Sequence, residues 1–401
     1  ELTTSEVKAK ETNLQDWLPA RSSQGEQFYK AGTYQEAQTV FQDILEQLEE
    51  TTSYDRCIVL AWLGRCLAEQ REFDLSADYF RDALTELEQL ESSQQITREI
   101  GRIQSYLATV LMETKDYEGA KEAYEAALPI MKTLGETRNE AAIYGQLGTL
   151  AKLQDNPKEA EPHFQAAISL FRQLKAPKAE ATALHQLGTL HQEAKQWEAA
   201  KQAYQQAAPL FEGQSDWSNA ASTWNQLAHV NKALGNLPEA EHGYRKAIEG
   251  YKAIENWLGV SVGFSNLAEL LKNQPHRLDE ARQLAEAGLT IDKTLNPEVV
   301  EIWKTYTLLA KIAEQQRDTV QVQTYRRLAR EAKAKSARTP EELQQHKRFI
   351  EAVVATFAQP GLRKQLESML QQREQKGWKK LVGATRRLLD GERDWHKVCE
   401  S

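Results

Sequence analysis

The strongest constraint on the fold of this chain is a block of sequence that recurs about every 40 residues. The letters QLGTL occupy residues 146–150 and again residues 186–190. The similarity extends across the block, so that one column holds leucine and the next column holds glycine or alanine. The leucines are Leu63, Leu107, Leu147, Leu187, Leu227, Leu267 and Leu309. A chain written this way is expected to fold as an array of similar units.

Three further columns repeat in the second half of each block. Twelve residues after the first small residue lies another, at Ser76, Ala120, Ala160, Ala200 and Ala240. Four residues later lies an aromatic residue, at Phe80, Tyr124, Phe164, Tyr204 and Tyr244. Three residues later lies an alanine, at Ala83, Ala127, Ala167, Ala207 and Ala247. These columns are the candidate core.

The spacing inside each block indicates helices. Apolar residues recur at intervals of three and four, the period of an amphipathic α-helix. Turn-forming residues interrupt the middle of the block, as at Gly235 and Asn236, and the join between blocks, as at Gly135. Asp216 and Asn256 are placed to cap the helices that follow them. We therefore predict an all-α fold of antiparallel helix pairs, which must stack because one pair cannot bury its own apolar face.

These columns together resemble the tetratricopeptide repeat family. A further aromatic column, three residues before the leucine, fits the family at Tyr144, Trp224 and Phe264, with Leu184 substituting. The resemblance covers residues 18–332 in about eight units. Their spacing is longer than the family's basic 34 residues, similar to kinesin light chains and many bacterial multidomain proteins. It implies a right-handed superhelical solenoid whose first helices line the concave side.

The chain is predicted to contain four segments: a lead-in at residues 1–17, the repeat array at 18–332, a linker at 333–340 and a helical extension at 341–401. Thr339 and Pro340 are expected to open the first helix of the extension, and residues 377–394 to form a basic amphipathic helix. The extension would cap the last exposed apolar face of the array. Because the sequence starts at Glu1 and ends without a helix-stop signal, we expect it to be a piece of a longer protein.

Charge and composition reduce the classes of partner that the chain is expected to bind. Residues 339–401 hold 12 Lys and Arg against 9 Asp and Glu, a net charge of +3, which leaves −11 for residues 1–338 of a chain whose total is −8. Such an acidic array is a poor nucleic-acid binder, because that binding depends on neutralising phosphates. No apolar run approaches a membrane span. Cys57 and Cys66 suit neither a disulfide nor a metal pair, and we expect a cytoplasmic protein.

The sequence contains few signs of a catalytic, cofactor-binding or metal-binding site. It lacks a phosphate-binding GxxxxGK[ST] loop, a GxGxxG turn and an HExxH zinc motif. Residues 259–263 match the GxSxG nucleophile motif, but they lie at the start of a repeat helix, where Gly and Ser are small packing residues. The histidines have no ligand spacing. We therefore predict no enzyme activity, no cofactor and no metal.

The candidate site is a surface. Since the concave side of a repeat array is exposed, packing does not dictate its residues. The residue before each column leucine is Gln146, Gln186, Gln226 and Asn266, with Trp62 and Tyr106 in earlier units. An amide side chain both donates and accepts, so it can pair with a peptide backbone, a role that Asn has in this column of the family. A basic column is Lys152, Lys232 and Lys272, and the predicted peptide-binding set also includes Asn225 and His229.

Alternatives stay open at this stage. The amides could reflect duplication alone, and Trp217 and Trp257 are expected to pack between units. The main functional hypothesis is a non-catalytic scaffold that binds an extended peptide or a partner helix. The alternative is a ligand-sensing or partner-sensing regulatory module of a signal-transduction NTPase or other multidomain protein, with intramolecular contacts to domains outside this sequence. An RNA-binding array is disfavoured by the −11 charge.

Overall fold

A computed structural model of the chain describes residues 4–48, 52–296, 300–336, 349, 352–353, 355–356, 363–375 and 379–390. All regular secondary structure in these residues is helical, which confirms the all-α prediction. Contacts divide the chain into two units, residues 1–263 and 264–401. The predicted helix start at Thr339 and Pro340 lies outside the described residues, and the predicted segment boundaries stay predictions.

Unit 1 consists of helix pairs that follow one another along the chain. We call the odd-numbered helices first helices and the even-numbered ones second helices. They are α1 (Thr4–Lys30), α2 (Tyr34–Gln47), α3 (Tyr54–Glu69), α4 (Phe73–Glu88), α5 (Gln94–Glu113), α6 (Tyr117–Thr133), α7 (Thr137–Leu153), α8 (Pro157–Gln173), α9 (Pro177–Glu193), α10 (Trp197–Gly213), α11 (Trp217–Ala233) and α12 (Leu237–Ala253). Each helix packs against its neighbours in the chain. The predicted stack of helix pairs is confirmed.

One type of turn separates most of these helices. The second residue after the helix has a positive φ, and the N–H of the residue that follows it closes the helix end, as Gln196 N–H does on the carbonyl of His191 at 2.8 Å. From α5 to α13 the positive-φ residues fall every 20 positions, at Lys115, Gly135, Asp155, Lys175, Lys195, Ser215, Gly235 and Glu255. Each of these turns therefore ends one helix and leads into the next within three residues.

The two predicted helix caps are confirmed. The Asp216 carboxylate accepts a hydrogen bond from the backbone N–H of Asn219 at 3.3 Å. The Asn256 side-chain oxygen accepts one from the N–H of Gly259 at 2.9 Å. Each satisfies a backbone donor that the first turn of the helix leaves unpaired.

The core of unit 1 repeats one contact between the two helices of a pair. The column aromatics of the second helices are fully buried, and each one that stands opposite a glycine of the first helix lies against it. A Cβ on Gly148 would lie 2.8 Å from Cδ1 of Phe164, and one on Gly188 would lie 2.7 Å from Cε1 of Tyr204. The rings thus need a small residue opposite them, which explains the Leu-Gly and Leu-Ala pairs.

Three of these buried rings are tyrosines whose hydroxyls also find a partner. The Tyr124 hydroxyl lies 2.9 Å from Oγ1 of Thr109, and the Tyr204 hydroxyl lies 3.1 Å from Oγ1 of Thr189. In the next pair the Tyr244 hydroxyl lies 3.0 Å from Nδ1 of His229. A buried hydroxyl without such a partner would lower the stability of the fold. The residue two positions after the column leucine therefore supplies the hydrogen-bonding partner of the tyrosine hydroxyl.

The two described cysteines are free and buried in α3. Burial raises the pKa of the Cys57 and Cys66 thiols to about 11. Thiols with so high a pKa are weak nucleophiles near neutral pH. Both side chains therefore pack in the core, and the prediction that they form neither a disulfide nor a metal pair stays a prediction.

Unit 2 contains the rest of α13 (Trp257–Leu271), which begins in unit 1. It continues with a 3₁₀ turn (Pro275–Arg277), α14 (Leu278–Asp292), α15 (Ile302–Gln315), α16 (Thr319–Ser336), α17 (Arg363–Gln375) and α18 (Lys379–Leu389). The buried Thr305 hydroxyl donates to the Asp292 carboxylate at 2.7 Å, joining α14 to α15.

The end of unit 2 has a small core of its own, formed by Phe349, Leu366, Leu370 and Val382. The described part of the predicted basic helix is helical, as α18. Its Arg386 is turned back to α17, where it donates to the Glu374 carboxylate at 3.0 Å and also pairs with Glu367. Among the described residues, no helix is both long and apolar enough to cross a membrane.

Candidate binding surface

The predicted site residues of unit 1 all lie on first helices, whose uncovered sides form a surface. We call it the first-helix face: the sides of α3, α5, α7, α9 and α11 that are not covered by second helices. Two polar contacts join its neighbouring helices. Lys152 of α7 pairs with Glu193 of α9 at 3.7 Å, and Gln192 of α9 donates to the Gln226 amide oxygen of α11 at 3.2 Å. Side chains of successive first helices therefore contact one another along this face.

The predicted amides differ in exposure. Gln146 is exposed, whereas Gln186 and Gln226 are half-buried. We call these three residues the amide row. Gln192, which occupies the position of the basic column between Lys152 and Lys232, adds a further amide beside Gln226, and its buried Oε1 has no hydrogen-bond partner among the described residues. Asn266 lies in unit 2 and already has a partner within the chain, as does Asn225 in unit 1.

The basic column is largely neutralised by the chain itself. Lys152 pairs with Glu193 as described, and in unit 2 Lys272 pairs with Glu269 at 3.2 Å. Lys232 lies close enough to His229 to lower its pKa. The column therefore offers less positive charge to an acidic partner than its sequence suggests.

Two half-buried histidines lie beside the amide row. His185 Nδ1 lies 2.9 Å from Oγ1 of Thr223, and His229 Nδ1 lies 3.0 Å from the Tyr244 hydroxyl. Burial lowers the pKa of both imidazoles, and the nearby Lys152 and Lys232 ammonium groups lower it further. The predicted role of His229 in peptide binding thus shares the side chain with a structural contact to Tyr244.

These histidines predict an acid-sensitive stability. An imidazole whose pKa is depressed by folding takes up a proton more readily in the unfolded chain, where its pKa is about 6.5. Stability contributed by neutral His185 and His229 is therefore present above that pH and is lost as the pH falls through their folded pKa values. We expect the melting temperature of the His185→Gln, His229→Gln variant to fall less between about pH 7.5 and pH 5 than that of the wild type. Equal falls in both proteins would contradict this assignment.

The amino-terminal end of the first-helix face contains a cavity of about 990 Å³. We call it the aromatic cavity. It is bounded by α1, α3 and α5, and Trp62 and Tyr106 both line it. Its other lining residues are Leu18, Pro19, Ser22, Glu26, Leu48, Tyr54, Asp55, Ile58, Ala61, Arg65, Glu99, Arg102 and Ile103. The two predicted aromatic anchors therefore lie at a concave site of a size typical of ligand pockets.

Arg65 is the central side chain of this cavity, and sequence reasoning missed it. Its guanidinium lies 3.9 Å from the ring centre of Trp62, 4.6 Å from that of Tyr29 and 5.1 Å from that of Tyr106. Trp62 is in turn stacked on Phe41, with ring centres 5.4 Å apart. Packing fixes the rings, and the rings fix the cation. The one signal in the sequence is that Arg65 replaces the threonine found at this position in the next three units.

The charged residues around the cavity differ in whether they are already paired within the chain. Arg102 pairs with Glu99 at 3.3 Å, and Glu26 pairs with Lys30 at 3.3 Å. Arg65 makes no ion pair with any carboxylate in the part of the chain that the structure describes. Its planar N–H groups can therefore donate to an acceptor oxygen that enters the cavity.

Comparison with known proteins identifies the repeats. The sequence profile of the family described as tetratricopeptide repeat matches residues 99–173, 139–213 and 219–294. No curated protein sequence matches the chain.

Solved structures share the helical architecture. A signal-transduction ATPase with numerous domains from Pyrococcus horikoshii, which carries a tetratricopeptide repeat sensor, is similar over 77% of this chain and 45% of its own, with a TM-score of 0.58 and 15% identity. BtubC from P. vanneervenii is similar over 60% and 92%, with a TM-score of 0.45 and 20% identity. A kinesin light chain-like protein of Podosopora anserina with nearly identical repeats is similar over 49% and 95%, with a TM-score of 0.43 and 14% identity. At these identities the likeness to the ATPase shows a shared fold and nothing finer.

Proposed function

The repeats between residues 99 and 294 belong to the tetratricopeptide repeat family, and from that premise we propose that the chain is a non-catalytic scaffold that binds an extended peptide segment of a partner protein along its first-helix face. The aromatic cavity would receive an anchoring side chain. The amide row would hold the backbone that follows it.

One observation carries the proposal. Trp62 and Tyr106 line the aromatic cavity, and they occupy the same repeat position as Gln146, Gln186 and Gln226. A concave anchoring site and a line of polar side chains therefore share one face. Large aromatic side chains in pockets are typical of binding hot spots.

The chemistry of the face favours a particular kind of segment. Each glutamine of the amide row can both donate to a backbone carbonyl and accept from a backbone N–H, whatever the sequence of the peptide. Arg65 offers N–H groups to an acidic or amide anchor, while Trp62 and Tyr106 supply apolar surface to its stem. The paired Lys152 leaves the face without strong net positive charge, so shape and hydrogen bonds would decide the affinity.

No feature of the described residues supports a reaction in preference to binding. Ser261, the serine of the GxSxG match, is 3% exposed and lies inside α13. In addition, a Cβ on Gly259 would lie 2.6 Å from the Tyr251 ring and one on Gly263 would lie 2.6 Å from the Ile248 side chain. The small residues of this motif are thus accounted for by packing.

The amide row can be tested without disturbing the fold. We expect the triple variant Gln146→Ala, Gln186→Ala, Gln226→Ala to melt close to the wild type, because substitutions away from the core usually change stability by less than about 0.5 kcal/mol each. Peptides selected on the wild type from a displayed random library are expected to bind it about tenfold or more weakly, the loss of roughly 1.4 kcal/mol of backbone hydrogen bonding. Calorimetry would measure both affinities.

A matched control uses glutamines of the second-helix side. Gln202 and Gln205 of α10 are exposed, and the variant Gln202→Ala, Gln205→Ala should bind the selected peptides as the wild type does. Equal affinity of the wild type and the triple variant for every selected peptide would remove the amide row from the account.

A second candidate function is a sensor module that reports binding to other domains of a longer protein. The likeness in fold to an ATPase that carries a tetratricopeptide repeat sensor motivates it. The same first-helix face would bind the signal in that case. A nucleotide-binding domain encoded next to this sequence would favour the sensor, and its absence from the full-length protein would favour the free scaffold.

A further inference from the structure

An aromatic ring fills a recurring gap between second helices. Tyr144 of α7 lies between α6 and α8, with Lys132 5.1 Å from its ring centre and the His163 ring 5.9 Å away. Trp224 of α11 lies between α10 and α12, where its Nε1 donates to Glu212 at 2.8 Å and the His242 ring is 5.8 Å away. Both rings belong to the column three residues before the leucine.

The repeat between these two lacks the ring. Leu184 occupies that column in α9, and at this position the structure has a cavity of about 460 Å³. We call it the Leu184 pocket. The second helices α8 and α10 flank it, and its lining residues are Gln165, Ile168, Ser169, Arg172, Gln173, Leu184, Leu187 and Gln206. The pocket thus opens where the neighbouring repeats place a tyrosine and a tryptophan.

The edge of the pocket is polar and carries one cation, which is paired with a carboxylate of the chain. Arg172 is the one charged residue among the described lining residues, and it stands twelve positions before Leu184, as Lys132 stands before Tyr144 and Glu212 before Trp224. Its guanidinium pairs with Glu180 at 2.8 Å and reaches the Gln206 amide oxygen at 3.4 Å, while its side chain remains 58% exposed. Arg172 can therefore lie over an incoming ring as Lys132 does over Tyr144.

We propose that the Leu184 pocket is a second binding site, which receives a tyrosine side chain carried by an acidic segment of a protein partner. The apolar base of Ile168, Leu184 and Leu187 would hold the ring. The Arg172 guanidinium would contact the face of the ring and donate the N–H groups that Glu180 and Gln206 do not use to the flanking carboxylates, and the Gln165, Gln173 and Gln206 amides would hydrogen-bond the tyrosine hydroxyl. The site shares no residue with the amide row or the aromatic cavity, so it stands whether or not the first-helix face binds a peptide.

The test uses two short peptides and the full chain. Acetyl-Glu-Tyr-Glu-amide and acetyl-Glu-Leu-Glu-amide are titrated into protein labelled on its Ile and Leu methyl groups, and NMR shifts of Ile168, Leu184 and Leu187 are followed. We expect saturable shifts with the tyrosine peptide and an affinity for the leucine peptide up to about tenfold weaker, because ring-specific contacts add up to roughly 1.5 kcal/mol. Absence of saturable shifts, or equal affinity for the two peptides, would overturn the proposal.

Two variants use the neighbouring repeats as templates. Leu184→Tyr supplies the ring that Tyr144 has, and we expect it to fold normally and to lose the response to the tyrosine peptide. Trp224→Leu removes the ring from the next repeat, and we expect a second set of shifts at Leu227. An unchanged response in folded Leu184→Tyr protein would show that the peptide binds elsewhere and would refute the pocket. Should this variant fail to fold, the comparison of the two peptides on the wild type still decides.

Discussion

Replacing Leu227 with Asp is expected to abolish the cooperative unfolding of unit 1. Leu227 is 3% exposed and packs with Ala200, Tyr204 and Val230 at the junction of α10 and α11. A carboxylate there would be buried among apolar side chains and would lose its water. Since stability is transmitted from each repeat to the next, we expect more than about 4 kcal/mol to be lost. Thermal unfolding followed by circular dichroism would show an early, broad transition.

Two companion variants isolate the charge from other effects. Leu227→Ala removes the same contacts without adding a carboxylate and should cost about 2–5 kcal/mol. Gln205→Asp adds a carboxylate at an exposed position of α10 and should change stability by less than about 0.5 kcal/mol. A melting curve of Leu227→Asp that overlays the wild-type curve would mean that the repeat register described above is incorrect.

Replacing Trp62 with Ala is expected to have the largest effect on partner binding. Trp62 forms a wall of the aromatic cavity and carries the Arg65 guanidinium on its face. Its removal would take away apolar contact and also release Arg65. We expect selected peptides to lose at least about 2 kcal/mol of binding free energy, roughly a 30-fold loss of affinity, measured by calorimetry.

Trp62 also stabilises the fold, so a control variant must separate a loss of binding from a loss of stability. Trp62 stacks on Phe41 and meets the edge of Tyr29 at 5.3 Å, so Trp62→Ala will also lower the melting temperature. Trp62→Phe keeps a ring against Phe41 and should retain most of the affinity. If folded Trp62→Ala protein binds the selected peptides as tightly as the wild type, the anchor does not lie in the aromatic cavity.

The core was predictable because packing dictates it. The column leucines, the small residues and the buried aromatics must be kept in each copy for the helices to meet, so they are visible in one sequence. The turns were only partly visible. Gly135 and Gly235 mark two of them, whereas Lys115, Lys175 and Lys195 adopt the same positive φ without being glycine. That conformation costs a non-glycine residue roughly 1–2 kcal/mol, and the hydrogen bonds of the helix end compensate for it.

The candidate surfaces were less predictable because they depend on contacts between helices distant in sequence. The position of Arg65 among Tyr29, Trp62 and Tyr106 involves three helices, and no local pattern signals it. Trp217 and Trp257 were expected to pack between units, and the exposed fractions of 39% and 47% leave a large part of each residue in contact with solvent. Leu184 was visible as a departure from its column, yet only the structure shows the cavity that results.

The regular spacing of the turns has a consequence for how such a chain can change in length. Removing residues 156–195 would join Asp155, which has a positive φ, directly to Gln196, the residue that precedes α10. The junction would have the same backbone geometry as the present one, and α7 would meet α10 as it now meets α8. Whole repeats can thus be gained or lost without new loops, so the length of the first-helix face changes in fixed steps of one repeat.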